Sequence, residues 1–456
     1  MIKLTNTLGG KKEEFKPIKE NHVGIYSCGP TVYDYIHIGN LRAFLTSDIL
    51  RRALEHNGFE VTQVMNITDV GQLNPDSSSE EEDKMTKGLK RENKPITIEA
   101  MNELAHFYTE AFKQNLKELN IKSPTHLPKA SEHINENIEL IKKLEEKGFT
   151  YTTSDGVYFD TSKDAQYGKL GGIAADDSHA RINENSEKKN FRDFALWKFN
   201  KNLGYPSLWG QGFPGWHIEC SAMSQKYLGQ HFDIHTGGID LAPIHHNNEI
   251  AQSENACGCE FANYWIHNAF LNIEGGKMAK SAGNFLSLQT LKEKNINPLA
   301  YRYWLLTAHY RTQVDFSWEA LGAAQTAYKR LIENVIVLGL EIGTPNSEYL
   351  NRFKNVINDD LDTPKAVALI WELLKDTSVL SQDKRATLVE FDKVLGLGLD
   401  TIHKVEIPHD VQQLIEEREK VRKSKDYQKS DELRDKIKNL GFEVKDTDEG
   451  PRVKKL

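Results

Sequence analysis

The chain opens with an alternation between short continuous apolar runs and apolar rows at helical spacing. His22 to Cys28 is such a run and predicts a buried strand, broken by Gly29-Pro30. From Asn40 the residues Leu41, Leu45, Ile49 and Ala53, thickened by Phe44, Leu50 and Leu54, recur at helical spacing until Gly58 ends the row. Val61 to Ile67 then reads as a second strand. Strand, helix and strand in this order make a βαβ unit, with the string His37-Ile38-Gly39-Asn40 at the strand-to-helix junction. Ligands bind at that junction in open parallel sheets, because the amides of the first helical turn point outward there.

Further along, Asp76 to Asp83 is acidic and almost free of apolar residues, which predicts a solvated loop, and a helix follows over roughly Ile96 to Leu119. Between about Ser123 and Tyr205, a helix (Ile134 to Gly148), a strand-like stretch (Thr150 to Phe159) and polar turns read as an insertion between two halves of one sheet. The second half resumes with a strand at His231 to His235, a turn at Thr236-Gly237-Gly238, a helix from about His245 to Ala256 and a strand from Tyr264 to Ile273. Lys277-Met278-Ala279-Lys280-Ser281 comes next. Beyond about Gln325 the pattern is helical, and Thr363-Pro364 fits an N-cap followed by proline at the first helical position. Gln412 to Leu440 is a charged helical region, rich in Lys and Arg from Arg418 to Lys438, and Phe442 to Leu456 predicts a small hairpin turning near Glu449-Gly450-Pro451. No internal repeat is visible.

Composition narrows the class without choosing the function. With 456 residues and 39% hydrophobic composition there is material for several cores. The net charge of −8 means that any nucleic-acid contact relies on local basic patches. Met1 to Glu14 lacks an apolar signal core, and no later segment approaches 18 uninterrupted apolar residues. The expectation is a cytoplasmic protein, neither secreted nor membrane-spanning. Four cysteines, Cys28, Cys220, Cys257 and Cys259, are too few for a disulfide framework and point to metal binding or reactivity instead.

Two separated strings carry the first chemistry. When a carboxylate attacks the α-phosphorus of ATP, negative charge builds on the equatorial oxygens and on departing pyrophosphate, so positive donors aimed there lower the barrier. Lys277 and Lys280 are such donors; His37 and Asn40 add neutral or charge-assisted ones, and Gly39 lets the nucleotide approach the backbone. The first string alone is a weak signal, with an ordinary capping turn as its plain alternative. The second, roughly 240 residues downstream and preceded by a strand, makes the pair specific to a nucleotide-activating ligase.

On these strings the chain resembles the cysteinyl-tRNA synthetases, a family of class I aminoacyl-tRNA synthetases. The matching segments are CGPTVYDYIHIGN (28 to 40), NITDV (66 to 70), PGWHIECSAM (214 to 223), FDIHTGGIDL (232 to 241), HHNNEIAQSE (245 to 254), KMAKSAGNF (277 to 285) and DDLDTPKA (359 to 366). The chain departs from the family pattern at Asn40, the fourth position of the HIGH motif, and at Ala279, the third of KMSKS. It departs again at Gly71-Gln72, where many members carry an acidic and basic run, and at Phe213, where arginine is common.

The resemblance implies an α/β fold: a Rossmann-like catalytic core split by an insertion, a segment bearing KMAKS that contacts the tRNA stem, a helical bundle and a small C-terminal α+β domain. The expected division is 1–122 and 208–266 for the core, 123–207 for the insertion, 267–325 for the stem-contact segment, 326–405 for the bundle and 406–456 for the anticodon-binding domain. It implies cysteine and ATP giving cysteinyl-adenylate, then transfer to the 3′-terminal adenosine of tRNA(Cys), with magnesium accompanying ATP and the chain a monomer.

Cys28 ends the first strand, Cys220 lies in HIEC, and His245 and Glu249 sit four apart, so that on a helix both project from one face. Two thiolates, an imidazole and a carboxylate make a plausible zinc set, and the family places one zinc on the matching residues. His246 is the alternative to His245; the family motif uses the first histidine. A substrate cysteine could bring its thiolate as a further ligand, whereas the hydroxyl of serine stays protonated and binds poorly. A purely hydrophobic pocket separates such similar side chains by only about a hundredfold, and no large editing insertion is visible.

Softer candidates surround this set. Gly237 and Gly238 would let adenine lie against backbone, and Asp240 would take the ribose hydroxyls or the substrate ammonium; a structural turn is the plain alternative. Thr68, Trp216 and His235 match family positions around the amino acid, against readings as a strand-end cap, a core aromatic and a satisfied histidine. Cys257 and Cys259 are expected to be free thiols. A competing resemblance, to the mycothiol cysteine ligases, implies transfer to an amino sugar, but that family lacks most of the anticodon-binding end present here at 406–456. A catalytically inactive RNA-binding paralogue is the third reading; it predicts loss of His37, Lys277 or Lys280, all of which are present.

Overall fold

Four parallel strands form the centre of the molecule, in the spatial order Ala262–Asn268, Phe232–Gly238, His22–Ser27, Glu60–Met65. The structure is a computed structural model and describes residues 1–71, 84–171, 187–273, 285–402, 408–447 and 450–455. Gln72, the acidic stretch 76–83 and the KMAKS string, with Lys277 and Lys280, lie outside the described residues. The two halves of the sheet meet where Ile25 pairs with Ile234. Strand order reverses there, so the carboxyl ends of these two strands open the crevice in which sheets of this kind hold ligands.

The helix Ile38–His56 follows the first strand and buries Leu41, Leu45, Ile49 and Ala53 as their spacing predicts. It starts before Asn40. His37 is its cap, and the Asn40 N–H donates to His37 Nδ1 at 3.1 Å. Two buried polar anchors fix this helix in place. Asp48 accepts from Arg302 at 2.7 Å and from Arg52 at 2.9 Å, while Arg42 donates to the carbonyls of Ala269, Phe270 and Thr312 at 2.9, 2.6 and 2.5 Å. The nucleotide-motif helix is thereby tied to backbone on both sides of residues 274–284.

Between the halves, an antiparallel sheet of Thr150–Thr152, Gly156–Phe159, Phe194–Phe199 and Gly212–Pro214 packs over a separate apolar cluster in which Leu140, Leu144, Phe159 and Trp197 meet Ile218, Ala222 and Ala251 of the helices that follow. Helices dominate after Trp318, and the C-terminal unit pairs the helices His409–Lys423 and Tyr427–Asn439 with a hairpin, Phe442–Thr447 and Gly450–Lys455. Among the described residues no helix is long and apolar enough to cross a membrane.

Several local expectations change. The predicted turn at Thr236-Gly237-Gly238 is the end of a strand, held by pairing of Gly238 with Asn268. The helix expected from His245 begins at Asn247, because Ala242–His246 forms a wider π-type turn with Pro243 near its start. The strand predicted from Tyr264 to Ile273 divides: Ala262–Asn268 belongs to the central sheet, and Leu271–Ile273 pairs with Val314–Phe316. Thr150 to Phe159 is a hairpin rather than one strand. Asp362, not Thr363, caps the next helix, its side chain accepting from the Lys365 N–H at 3.2 Å, so Thr363 and Pro364 fall inside the first turn. The charged C-terminal run splits at Ser424-Lys425-Asp426, where Lys425 takes φ 64° and Asp426 caps the second helix.

Candidate functional site

The crevice at the sheet switch point gathers Cys28, Cys220, His245 and Glu249 from three separated stretches of the chain. Cys28 follows the first strand directly, and the turn after it demands glycine: a Cβ at Gly29 would stand 1.7 Å from the Asn66 carbonyl oxygen. Cys220 comes from the helix Trp216–Leu228, His245 from the π-type turn and Glu249 from the helix Asn247–Cys257. One donor atom from each of Cys28, Cys220, His245 and Glu249 lies within 4.8 Å of the other three, and all but Cys28 are buried. A second grouping, Cys28, His235, His246 and Glu249, meets the same limit.

Hydrogen bonds distinguish the two histidines. His245 Nε2 lies 2.9 Å from Glu249 Oε1, while its Nδ1 stands 2.8 Å from His217 Nδ1. His246 Nε2 is 3.3 Å from the Cys28 sulfur, and its Nδ1 pairs with His267 Nε2 at 2.7 Å; His267 Nδ1 then meets Thr7 Oγ1 at 2.7 Å. Glu249 closes the group through Oε2, 2.8 Å from His235 Nε2.

Burial sets the charges. It opposes ionisation of Glu249, yet His235 and His245 outweigh it and hold the carboxyl down to about 2. Burial likewise opposes a proton on His245, but Glu249 and the Cys220 thiolate raise it to about 10. A hydrogen bond from Cys28 lowers the Cys220 thiol to about 6, whereas burial pushes Cys28 up. Burial, together with neighbouring histidines, keeps His217 and His246 well below the ordinary histidine value. His217 is therefore neutral and accepts at Nδ1 from the Nδ1–H of His245, which leaves His245 Nε2 aimed at Glu249.

The donor set fits a metal. Tetrahedral zinc holds N, O and S ligands about 3.5 Å apart, so the observed group needs only small side-chain adjustments to close on it. Two sulfurs in the first grouping favour a soft or borderline ion.

The other predicted residues take varied places. Thr68 is buried; its hydroxyl donates to Glu219 at 3.2 Å and accepts from Asn66 at 3.2 Å. Trp216 is half-buried, its ring 4.5 Å from that of His245 with the Lys84 amine 5.4 Å from its centre. His235 stacks on Trp265 at 4.5 Å, and its Nδ1 has no hydrogen-bond partner. Gly237 is required by the His246 ring, which a Cβ would meet at 2.8 Å, and the Asp240 carboxylate folds back over Gly238. His37, Gly39 and Asn40 sit together at the open start of their helix, with the Phe285 ring 6.1 Å from His37 and Ile38 N–H donating to Leu286 at 2.9 Å. Phe213, in place of arginine, is buried against Gly71 and Tyr205. Cys257 and Cys259 are joined as a disulfide rather than standing as free thiols; Gly258 at φ 78° turns the chain so that both sulfurs face one side.

Sequence reasoning missed His217, Glu219, His267 and Tyr26. The hydroxyl of Tyr26 lies beside Cys220, and burial pushes its pKa up. The first two lie inside the HIEC-bearing segment already singled out, so adjacency to Cys220 was the available signal.

Comparison with known proteins agrees with this geometry. A family profile described as "tRNA synthetases class I (C) catalytic domain" matches residues 14–326, and one described as "Cysteinyl-tRNA ligase anticodon binding domain" matches 404–452. The chain is 44% identical to "Cysteine--tRNA ligase 1" of Burkholderia lata, over 99% of this chain and 96% of that one. It is also 44% identical to the cysteine--tRNA ligase of Treponema denticola, with 98% of each covered. Among solved structures, methionyl-tRNA synthetase of Mycobacterium tuberculosis bound by methionyl-adenylate shares the fold, with a TM-score of 0.57, 13% identity, and 85% of this chain and 93% of that one covered. The chain belongs to the cysteine–tRNA ligase family of class I aminoacyl-tRNA synthetases.

Proposed function

We propose that this protein joins L-cysteine to tRNA(Cys) through cysteinyl-adenylate, selecting its amino acid with one zinc held by Cys28, Cys220, His245 and Glu249. The observation that carries the reading is the group of two sulfurs, one imidazole and one carboxylate at the sheet switch point, buried at all but Cys28. Zinc bound there supplies a soft Lewis acid that takes a thiolate in preference to a protonated hydroxyl. The hydrogen bond from Cys28 lowers the Cys220 thiol, which favours the thiolate form a metal ligand requires. His217 holds the ring of His245 in the orientation a ligand needs.

The chain's own groups account for the rest of the reaction. Thr68, Trp216 and His235 border the amino acid, with Glu249 keeping His235 in place. His37, Gly39 and Asn40, at the start of the helix Ile38–His56, receive the phosphates of magnesium-bound ATP. Lys277 and Lys280 stabilise the charge that develops as the substrate carboxylate attacks the α-phosphorus and pyrophosphate leaves. Gly237, Gly238 and Asp240 serve the adenosine side. The divisions 1–122, 123–207, 208–266, 267–325, 326–405 and 406–456 serve as catalytic, insertion, catalytic, stem-contact, bundle and anticodon units. The enzyme works as a cytoplasmic monomer. The match of residues 404–452 to an anticodon-binding domain weighs against an amino-sugar acceptor.

Cysteine-dependent ATP–pyrophosphate exchange and charging of tRNA(Cys), run beside serine and beside an amino-sugar acceptor, test this reading. Exchange with cysteine and transfer to tRNA are expected. Exchange without tRNA charging, or equal use of serine, would overturn it.

A further inference from the structure

We propose that Tyr35 and Phe107 form a stacking platform for the unpaired nucleotides at the 3′ end of the tRNA; this inference rests on the tRNA-charging reading above. Three rings build the platform. Tyr35 meets Tyr108 edge to face at 5.1 Å, Phe107 meets Tyr108 edge to face at 5.1 Å, and Tyr35 and Phe107 lie 6.3 Å apart. Tyr108 is buried, whereas Tyr35 is 45% and Phe107 57% exposed. A large aromatic left this open beside a second one is costly in water unless something covers it.

The platform is fixed rather than loose. Arg91 donates to the Tyr33 carbonyl at 2.8 Å and to the Tyr108 hydroxyl at 2.9 Å, pairs with Asp34, and lies over the Tyr108 ring at 5.6 Å. Tyr108 in turn donates to Glu92 at 2.9 Å. The helix Lys84–Arg91 packs so closely beneath the loop that a Cβ at Gly88 would come within 2.9 Å of the Tyr33 oxygen. An anchored aromatic loses little freedom when a base stacks on it.

Position and charge identify the occupant. Tyr35 is two residues before His37, so the platform begins within about 7 Å of backbone reach from the nucleotide-motif helix. A 3′-terminal adenosine that enters this site for transfer brings the nucleotides preceding it past this rim. The adjoining helix, KMTKGLKR, carries Lys84, Lys87, Lys90 and Arg91 and no acidic residue; Arg91 is paired with Asp34 and Glu92 and the Lys84 amine lies over Trp216. Cationic side chains beside exposed rings are what single strands bind, because every base offers a π face and every linkage a phosphate.

The test uses the full-length, zinc-loaded enzyme with Phe107→Ala, Phe107→Tyr and Tyr35→Ala, intact tRNA(Cys), and the same tRNA lacking its three 3′ nucleotides. Loss of one stacked base is expected to raise the KM for intact tRNA about tenfold in Phe107→Ala and in Tyr35→Ala, while cysteine-dependent pyrophosphate exchange stays within about twofold. Phe107→Tyr restores the KM, and affinity for the truncated tRNA is unchanged in every variant. An unchanged KM in both alanine variants overturns the platform while leaving wild-type charging, and so the proposed function, intact. Equal weakening with truncated tRNA, a parallel fall in pyrophosphate exchange, or a changed oligomeric state would assign these rings to another RNA contact, to internal packing or to a second copy, and would also overturn it. Failure of the wild type itself to charge tRNA would remove both readings.

Discussion

The switch-point crevice and the C-terminal unit use polar residues in opposite ways. In the crevice, Cys220, His217, His235, His245, His246 and Glu249 are all buried and each meets another buried polar group. In the C-terminal unit, a small apolar cluster of Val411, Ile415, Ile437, Phe442 and Val444 sits under helices whose charges mostly face water; Arg418 is the exception, buried and paired with the more exposed Asp446 at 2.7 and 2.8 Å. Burial makes each residue in the first region chemically specific, because an unpaired polar group there is expensive. Surface exposure leaves the second tolerant, and its partner is named by the family match rather than by a local constellation.

The contrast breaks most sharply at Cys220. In the proposed site Cys220 is one of two sulfur ligands, so on Cys220→Ser zinc is expected to be lost and cysteine activation to fall at least about a thousandfold, measured by metal analysis and pyrophosphate exchange. Normal occupancy with unchanged preference for cysteine over serine would contradict the assignment. Next in size is Asp48→Asn, which leaves Arg302 and Arg52 in the interior without their carboxylate; unfolding by denaturant should show a loss of about 3 kcal/mol.

A smaller effect sharpens the crevice side. His217→Ala removes the acceptor that orients His245, and competition with a chelator should show metal affinity lowered by about tenfold to a hundredfold with the fold intact. The smallest lies in the C-terminal unit. The hydrogen bonds from Arg418 hold Asp446 below its ordinary value, so the pair contributes stability above the unfolded aspartate value of about 3.9 and loses it as pH falls through the lower native value. Hydrogen exchange at acid pH should report this loss, of no more than about 1 kcal/mol, in residues 408–447, and Asp446→Asn should abolish its pH dependence.

How much could be read from the sequence follows the same division. The βαβ unit and the inward face of its helix were legible because local periodicity decides them, whereas the cap at His37, before the expected start at Asn40, rests on a side-chain hydrogen bond that periodicity does not register. Cys28, Cys220, His245 and Glu249 were legible as metal-binding types, and the structure brings them together. The supporting residues were not, because His217 to His245, Asp48 to Arg302 and His267 to Thr7 are contacts between segments that only the tertiary fold joins. Thr236-Gly237-Gly238 misled for a related reason: two glycines that read as a turn serve as a strand end, where Gly237 leaves room for the ring of His246. The Cys257–Cys259 pairing depends on the left-handed conformation of Gly258, which glycine permits without requiring.

X-ray absorption at the zinc edge, recorded on the purified enzyme before and after addition of cysteine, tests the central claim most directly. The account predicts one zinc per chain with two sulfur and two nitrogen or oxygen neighbours, and a third sulfur once cysteine binds. A zinc-free enzyme that still selects cysteine, or a sulfur count that stays at two in the loaded complex, would contradict it.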